Sequence, residues 1–150
     1  MDGTRIESIL RKDVKCGPMF IGVLPCDRLP KRLNFRGPVL LVCNTDPHNK
    51  PGEHWIVLYI EDSSYGEYFD SFGRAPPDMF RTFLDRHCAR WIFNERQLQS
   101  ITSHFCGHYC LFYCLHRARN KNINAISNLL TSDTGLNDYL VHNYICKTYA

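Results

Sequence analysis

Four residues that lie far apart in the chain carry the side chains that a thiol hydrolase needs. They are His54, Asp70, Gln99 and Cys106, which supply an imidazole, a carboxylate, a carboxamide and a thiol. In such enzymes the thiol attacks a carbonyl, the imidazole moves a proton, the carboxylate orients the imidazole, and amide N–H groups stabilise the oxyanion. Each residue alone says little, so the hypothesis depends on whether the fold brings the four together.

A β-hairpin is predicted to position the histidine and the carboxylate. The apolar run HWIVLYIE begins at His54, the segment DSSYG is typical of a turn, and EYFD ends at Asp70, which together predict a hairpin over 54–72. A hairpin centred on Asp62 places His54 and Asp70 opposite each other, where Cβ atoms are about 5 Å apart. The carboxylate would then bind the imidazole Nδ1–H. A slip of one residue would move Asp70 to the other face and leave His54 an ordinary surface histidine.

The thiol is predicted to lie at the start of a helix. Cys106 precedes GHYCLFYCLH, and this run predicts a helix over 106–119. Unpaired N–H groups and the helix dipole lower the pKa of a thiol at that position. Gly107 removes side-chain bulk beside the sulfur, so that a substrate backbone could approach. Cys110 and Cys114 lie further into the helix and are expected to be buried core residues.

A carboxamide upstream of the thiol could act as an oxyanion donor, together with the backbone N–H of Cys106. Gln97 and Gln99 are both candidates, and chemistry alone does not separate them. His104 and His108 flank the cysteine, but the base of a thiol hydrolase usually comes from elsewhere in the fold. Neither histidine is therefore given a catalytic role.

Composition favours a single folded domain over residues 1–150. The chain is 44% hydrophobic, and no stretch approaches the roughly 18 apolar residues of a membrane span. The N-terminal segment is polar and has no signal-like apolar run, which predicts an intracellular protein with free thiols. Eight cysteines and seven histidines raise the question of zinc. No C-x2-C pair is present, however, and so no metal site is expected.

The net charge is only +3, but cations gather in one stretch, at Arg28, Lys31, Arg32 and Arg36. This stretch is either a solvated loop or a surface that contacts nucleic-acid phosphates, and both interpretations stay open.

The remaining pattern predicts an α+β fold, a small mixed β-sheet flanked by helices. Helices are expected over 5–12, 78–89, 122–130 and 135–146, a strand over 39–43, an extended segment over 90–99, and a loop-rich stretch from the first helix to Pro38. The buried stripes of the first two helices are predicted to consist of Ile6, Ile9 and Leu10, and of Met79, Phe80, Phe83 and Leu84.

The chain resembles a known family in four motifs between residue 16 and about residue 116. The motifs are CGPMFIGV, NTDPHNKPGEHWIVLYI, EYFDSFG followed by a proline pair, and LQSITSHFCGHYC. They are similar to those of the adenovirus protease (adenain) family and its relatives in Polinton/Maverick-type elements. That family belongs to the clan of the SUMO-deconjugating sentrin-type peptidases.

The resemblance implies a role for each residue. His54 would be the base, Cys106 the nucleophile, and Gln99, rather than Gln97, the oxyanion donor. Asp70 stands where adenovirus enzymes carry Glu and sentrin-type peptidases carry Asp, and either carboxylate can hold an imidazole. Substrate-binding positions would be Trp55, as the indole beside the catalytic histidine, and Gly107.

The resemblance also implies an adenain-like cysteine endopeptidase whose chemistry needs no cofactor. It would cleave near small residues such as Gly and mature capsid or core precursors of a virus or virus-like element, in the host nucleus, the cytoplasm or the virion. Adenovirus enzymes are activated by a viral peptide and by DNA, so both are expected as candidate partners. The alternatives are a ubiquitin-like-modifier deconjugase and an inactive domain that binds DNA or protein.

Overall fold

A five-stranded mixed sheet forms the centre of the protein. The computed structural model describes residues 1–34, 36–50 and 54–149. Strands β1 to β5 lie side by side in chain order, with β1–β2 and β4–β5 parallel and the two inner pairs antiparallel. The strands are β1 Phe20–Pro25, β2 Val39–Asn44, β3 Trp55–Asp62, β4 Tyr65–Phe69 and β5 Arg90–Phe93. The helices are α1 Gly3–Lys12, α2 Asp78–His87, α3 Cys106–Arg117, α4 Ile123–Ser127 and α5 Thr134–Thr148. The predicted α+β class is confirmed.

The sheet separates two apolar cores, which explains why its middle strands are apolar on both faces. In β2, Leu40 and Val42 face a core shared with α1, α3, α4 and α5, whereas Leu41 and Cys43 face a core shared with α2. Successive side chains of a strand point to opposite faces, so a strand covered on both sides reads as a continuous apolar run.

Helix α3 lies at the middle of the larger core. It contacts β3, α1, α4 and α5, and most of its side chains are buried. This packing fixes the N-terminus of α3 next to the beginning of β3. Among the described residues, no helix combines the length and the apolar character that a bilayer span requires.

Two expectations from the sequence are wrong in this part of the molecule. The stretch predicted as loop contains β1, which is an edge strand of the sheet. This strand ends at Pro25, and its pairing with β2 is irregular near Gly22. Pro and Gly are tolerated at a sheet edge because fewer ladder hydrogen bonds are needed there. In α2 the buried stripe is Phe80, Phe83, Leu84 and His87, and Met79 is 43% exposed at its border.

Candidate active site

The hairpin brings His54 and Asp70 into contact. His54 directly precedes β3, Asp70 directly follows β4, and the imidazole Nε2 lies 2.8 Å from the carboxylate Oδ1. Both side chains are almost fully buried. The predicted contact therefore forms, although two details of the prediction are wrong.

The first wrong detail is the register. Val57 pairs with Phe69 and Ile60 with Gly66, so continuation of the ladder sets Asp70 opposite position 56 rather than opposite His54. The offset is two residues, and an even offset keeps both side chains on the same face of the sheet. Diagonal neighbours of this kind are within reach of a long side chain such as an imidazole.

The second wrong detail is the ring nitrogen. Asp70 binds Nε2 rather than Nδ1, so Nδ1 is the nitrogen left for the thiol. The same Oδ1 also accepts the backbone N–H of Phe72 at 2.8 Å, and the Phe72 ring stacks on the imidazole with centroids 4.8 Å apart. The imidazole is thus fixed by a carboxylate at its edge and by an aromatic ring on its face.

Cys106 is the first residue of α3, as predicted, and its thiol meets the imidazole of His54. Burial opposes thiolate formation, but the hydrogen bond from His54 and the backbone N–H groups of Trp55 and Gly107 lower the pKa of Cys106 below its ordinary value. Burial likewise opposes charge on His54, but hydrogen bonds to Asp70 and Cys106 raise the pKa of its imidazole to about 9. Both shifts favour a thiolate–imidazolium pair at neutral pH.

The buried cysteines have the opposite electrostatics. All eight cysteines are free thiols, as expected, and six of them are buried. Burial raises the pKa of Cys16 to about 12 and that of Cys88 to about 11, and it raises the pKa of Cys110 and Cys114 well above the ordinary value. These thiols stay protonated and unreactive near neutral pH.

Gln99 lines the same cleft as the thiol, whereas Gln97 is exposed outside it. The buried Gln99 amide accepts from Ser71 Oγ at 2.5 Å and donates through Nε2 to Ser103 Oγ at 3.0 Å and Ser103 O at 3.1 Å. The carboxamide is therefore held in place. To donate to an oxyanion it has to exchange one of its bonds to Ser103.

The turn over residues 70–73 connects the carboxylate with the carboxamide. The carbonyl of Ser71 accepts the N–H groups of Leu98 and Gln99, both at 2.9 Å. Gly73 has φ +71°, and a Cβ there would lie 2.6 Å from the Arg96 backbone. Because only glycine fits that conformation and that approach, the sequence DSFG encodes the geometry of this half of the site.

Asn94 is a positioning residue that the sequence analysis missed. Its buried side chain donates from Nδ2 to the carbonyl of Asp70 at 2.6 Å and accepts the N–H of Asp70 at 3.0 Å. The side-chain amide of Asn94 thereby extends the hydrogen-bond ladder between β4 and β5 by one step, and it fixes the backbone of Asp70. The only sequence signal is an asparagine directly after the extended run RWIF.

The site opens into a cleft of about 600 Å³ that contains all four predicted residues and Trp55. Trp55 lines this cleft. Gly107 does not: it is buried, and a Cβ there would meet Ile6 and Met1 at 3.3 Å. Packing of α3 against the N-terminal segment explains this glycine without a role in substrate approach.

The predicted DNA-binding residues lie apart from the cleft lining, in the segment that joins β1 to β2. Leu29 and Leu33 of this segment pack against the core on the α2 side. The four predicted DNA-binding cations of the same segment are exposed: Arg28, Lys31, Arg32 and Arg36. The structure therefore leaves both interpretations of this stretch open.

A second group of thiol and imidazole side chains lies between α3 and α5. His108, His142 and Cys146 each offer one metal-ligating atom within 4.8 Å of the others. Burial and, to a smaller extent, the neighbouring His142 lower the pKa of His108 to about 4, so this imidazole is neutral at physiological pH. It packs on His142 of α5.

Comparison with known proteins shows the fold. Neither a protein-family model nor a curated protein matches the sequence. A crystal structure of the ASFV pS273R protease matches with a TM-score of 0.65 and 19% identity, covering 92% of this chain and 64% of that chain. A Se-Met crystal structure of the same protease matches with a TM-score of 0.54 and 23% identity, covering 71% and 43%. ChlaDub1 from Chlamydia trachomatis matches with a TM-score of 0.49 and 13% identity, covering 73% of this chain and 59% of that chain.

The chain therefore has the fold of the ASFV pS273R protease. It spans 64% and 43% of the lengths of the two ASFV chains, so less than two thirds of either.

Proposed function

We propose that residues 1–150 form a cysteine endopeptidase domain. The observation that carries the proposal is the hydrogen bond between His54 and Asp70, with the Cys106 thiol of a helix N-terminus lining the same cleft and interacting with His54. The fold shared with a protease supports the same conclusion.

In this proposal each residue of the site carries one step of the reaction. Cys106 Sγ attacks the peptide carbonyl carbon, and the electron pair of the C=O bond moves to oxygen. Collapse of this intermediate breaks the C–N bond, and His54 gives its proton to the leaving amine. Water then attacks the thioester, His54 takes the proton of that water, and the acid product leaves with Cys106 again a thiolate. Asp70 holds the imidazole in place through Nε2 and stabilises its charge.

The oxyanion is stabilised by the carboxamide of Gln99 and the backbone N–H of Cys106. Gln99 is buried in the cleft wall, and its carbonyl oxygen is bound by Ser71, which directs the NH2 end toward the Ser103 side of the cleft. A preorganised donor of this kind contributes about 2.7–4 kcal/mol to transition-state stabilisation. The chemistry requires no cofactor.

The proposed substrate is a polypeptide with small residues such as Gly at the scissile bond. The resemblance in the four motifs supports this preference and the task of maturing capsid or core precursors. An activating peptide and DNA are proposed partners on the same basis. For DNA, the exposed cations between β1 and β2 are the candidate contact. If duplex DNA stimulates turnover, replacement of Arg28, Lys31, Arg32 and Arg36 by Ala should remove the stimulation and leave basal turnover unchanged.

A substrate panel tests the proposal. Turnover of a short Gly-containing fluorogenic peptide is measured beside turnover of a fluorogenic ubiquitin-like modifier, each with the unaltered chain and with Cys106→Ala. Peptide cleavage that Cys106→Ala abolishes supports the endopeptidase. Turnover of the modifier alone would favour a deconjugase, and no turnover of either would favour an inactive binding domain.

A further inference from the structure

The cluster between α3 and α5 has the donor set and the spacing of a transition-metal site. His142 and Cys146 are one turn apart on α5, and Cys146 Sγ lies 3.5 Å from His142 Nε2. Tetrahedral zinc with a Zn–S distance of about 2.3 Å and a Zn–N distance of about 2.0–2.1 Å places two such ligands about 3.5 Å apart. This pair is therefore at ligand distance before any metal binds.

The third donor comes from the other helix and lacks a partner. His108 Nδ1 is buried, and among the described residues it has no hydrogen-bond partner. Buried polar atoms are nearly always satisfied, so an orphaned imidazole nitrogen calls for an explanation. The His108 and His142 rings have centroids 5.2 Å apart, and the Phe105 ring packs against both at 5.2 and 5.0 Å. A cation bound by His108 through Nδ1 would give that nitrogen its missing partner.

We propose that His108, His142 and Cys146 bind one zinc ion that links α3 to α5. A thiolate and two imidazoles suit zinc, whereas Mg²⁺ and Ca²⁺ prefer oxygen ligands, and this cluster contains none. Binding displaces the thiol proton to solvent and leaves the fourth position to water. The donors lie within 4.8 Å of one another, so small side-chain rotations bring them to zinc-ligand distances. The site does not depend on the proposed peptidase activity.

The experiment is a metal titration of the Cys106→Ala chain. This background is needed because the thiolate of Cys106 and the imidazole of His54 are also ligand types that zinc prefers. Zinc affinity is measured by competition with a chromophoric chelator, and Co²⁺ serves as a spectroscopic probe for a thiolate ligand. We expect one equivalent of zinc, a Co²⁺–thiolate charge-transfer band, and a higher melting temperature with zinc than with EDTA.

Matched variants in that background locate the site. Cys146→Ser and His142→Ala should each weaken zinc binding at least tenfold, and Cys146→Ser should remove the charge-transfer band. His104→Ala, an exposed histidine of the same region, should bind zinc unchanged. Melting curves in EDTA show whether a variant still folds. Because Cys146 is exposed, Cys146→Ser is the variant least expected to disturb folding. The absence of stoichiometric binding, or binding retained in both Cys146→Ser and His142→Ala, would overturn the proposal.

Discussion

Helix α3 borders two thiol–imidazole groups that differ in what accompanies the imidazole. At Cys106 the imidazole of His54 is bound by the buried carboxylate of Asp70, and the thiol begins a helix. At Cys146 the imidazole of His142 is accompanied by a second imidazole, from His108, and the thiol is exposed near the end of α5. A carboxylate favours a charged imidazolium and therefore a nucleophilic thiolate. A second neutral imidazole favours shared metal ligation instead. The third residue decides which chemistry a thiol–imidazole pair performs.

Removal of either thiol should separate the two groups most clearly. Cys106→Ala should lower kcat/KM for the peptide by about 10⁴-fold or more. Catalytic residues that act together lose nearly all of their rate enhancement when the nucleophile is removed. Cys146→Ser, assayed in EDTA, should stay within about twofold of the unaltered chain, in line with ordinary surface substitutions. Comparable losses in the two variants would show that the groups do not have separate roles.

Loss of the carboxylate should weaken the active site and shift its pH profile. Asp70→Asn should lower kcat/KM by about 10²- to 10⁴-fold, the range expected when an imidazole loses its orienting carboxylate. The alkaline limb of the profile reports loss of the His54 proton, and we expect it near pH 9. Because Asp70 raises that pKa, the limb should move to lower pH in Asp70→Asn. A limb that does not move would separate Asp70 from the histidine.

Removal of the carboxamide should have the next largest effect. Gln99→Ala should lower kcat by about 10²- to 10³-fold, the loss typical of one oxyanion donor. Gln97→Ala is the matched control, since that side chain is exposed and bonds only the Gln99 carbonyl among its described partners. Equal losses in the two variants would mean that the effect comes from the loop and not from the donor.

The smallest expected effect is that of Asn94→Ala on stability. The substitution leaves the buried N–H of Asp70 without a partner, whereas the C=O of Asp70 keeps the bond from the Gly73 N–H. The loss should lower the free energy of unfolding by about 1–3 kcal/mol. Urea denaturation measures this loss. Asn94→Asp offers a control that retains the acceptor and loses the donor. If Asn94 positions the carboxylate, Asn94→Ala should also move the alkaline limb of the pH profile, which simple destabilisation would leave in place.

The sequence predicts the parts of the site that lie on regular elements. The helix start at Cys106 and the hairpin that carries His54 and Asp70 follow from local apolar periodicity and turn residues. The register does not follow, because the ladder pairs Ile60 with Gly66 and is therefore centred on Ser63, one residue beyond Asp62. Turn geometry, rather than composition, sets that alignment.

The features that the sequence does not predict depend on contacts between distant segments. Asn94 acts on Asp70 across β4 and β5, and the role of Gly107 depends on the packing of the N-terminal segment against α3. The His108 cluster likewise needs α3 and α5 side by side. No local spacing rule reports such pairs. The expectation of no metal site rested on the missing C-x2-C pair and on the helical spacing of the clustered cysteines.

Thiol alkylation tests the central claim most directly. Cys146→Ser protein in EDTA is treated with iodoacetamide at about pH 6, where ordinary exposed thiols are almost fully protonated. Peptide mapping by mass spectrometry then locates the adduct. We predict one rapid adduct, on Cys106, that is absent after Cys106→Ala and retained after Cys110→Ala. Rapid labelling that persists in the Cys106→Ala protein would contradict the assignment of Cys106 as the nucleophile.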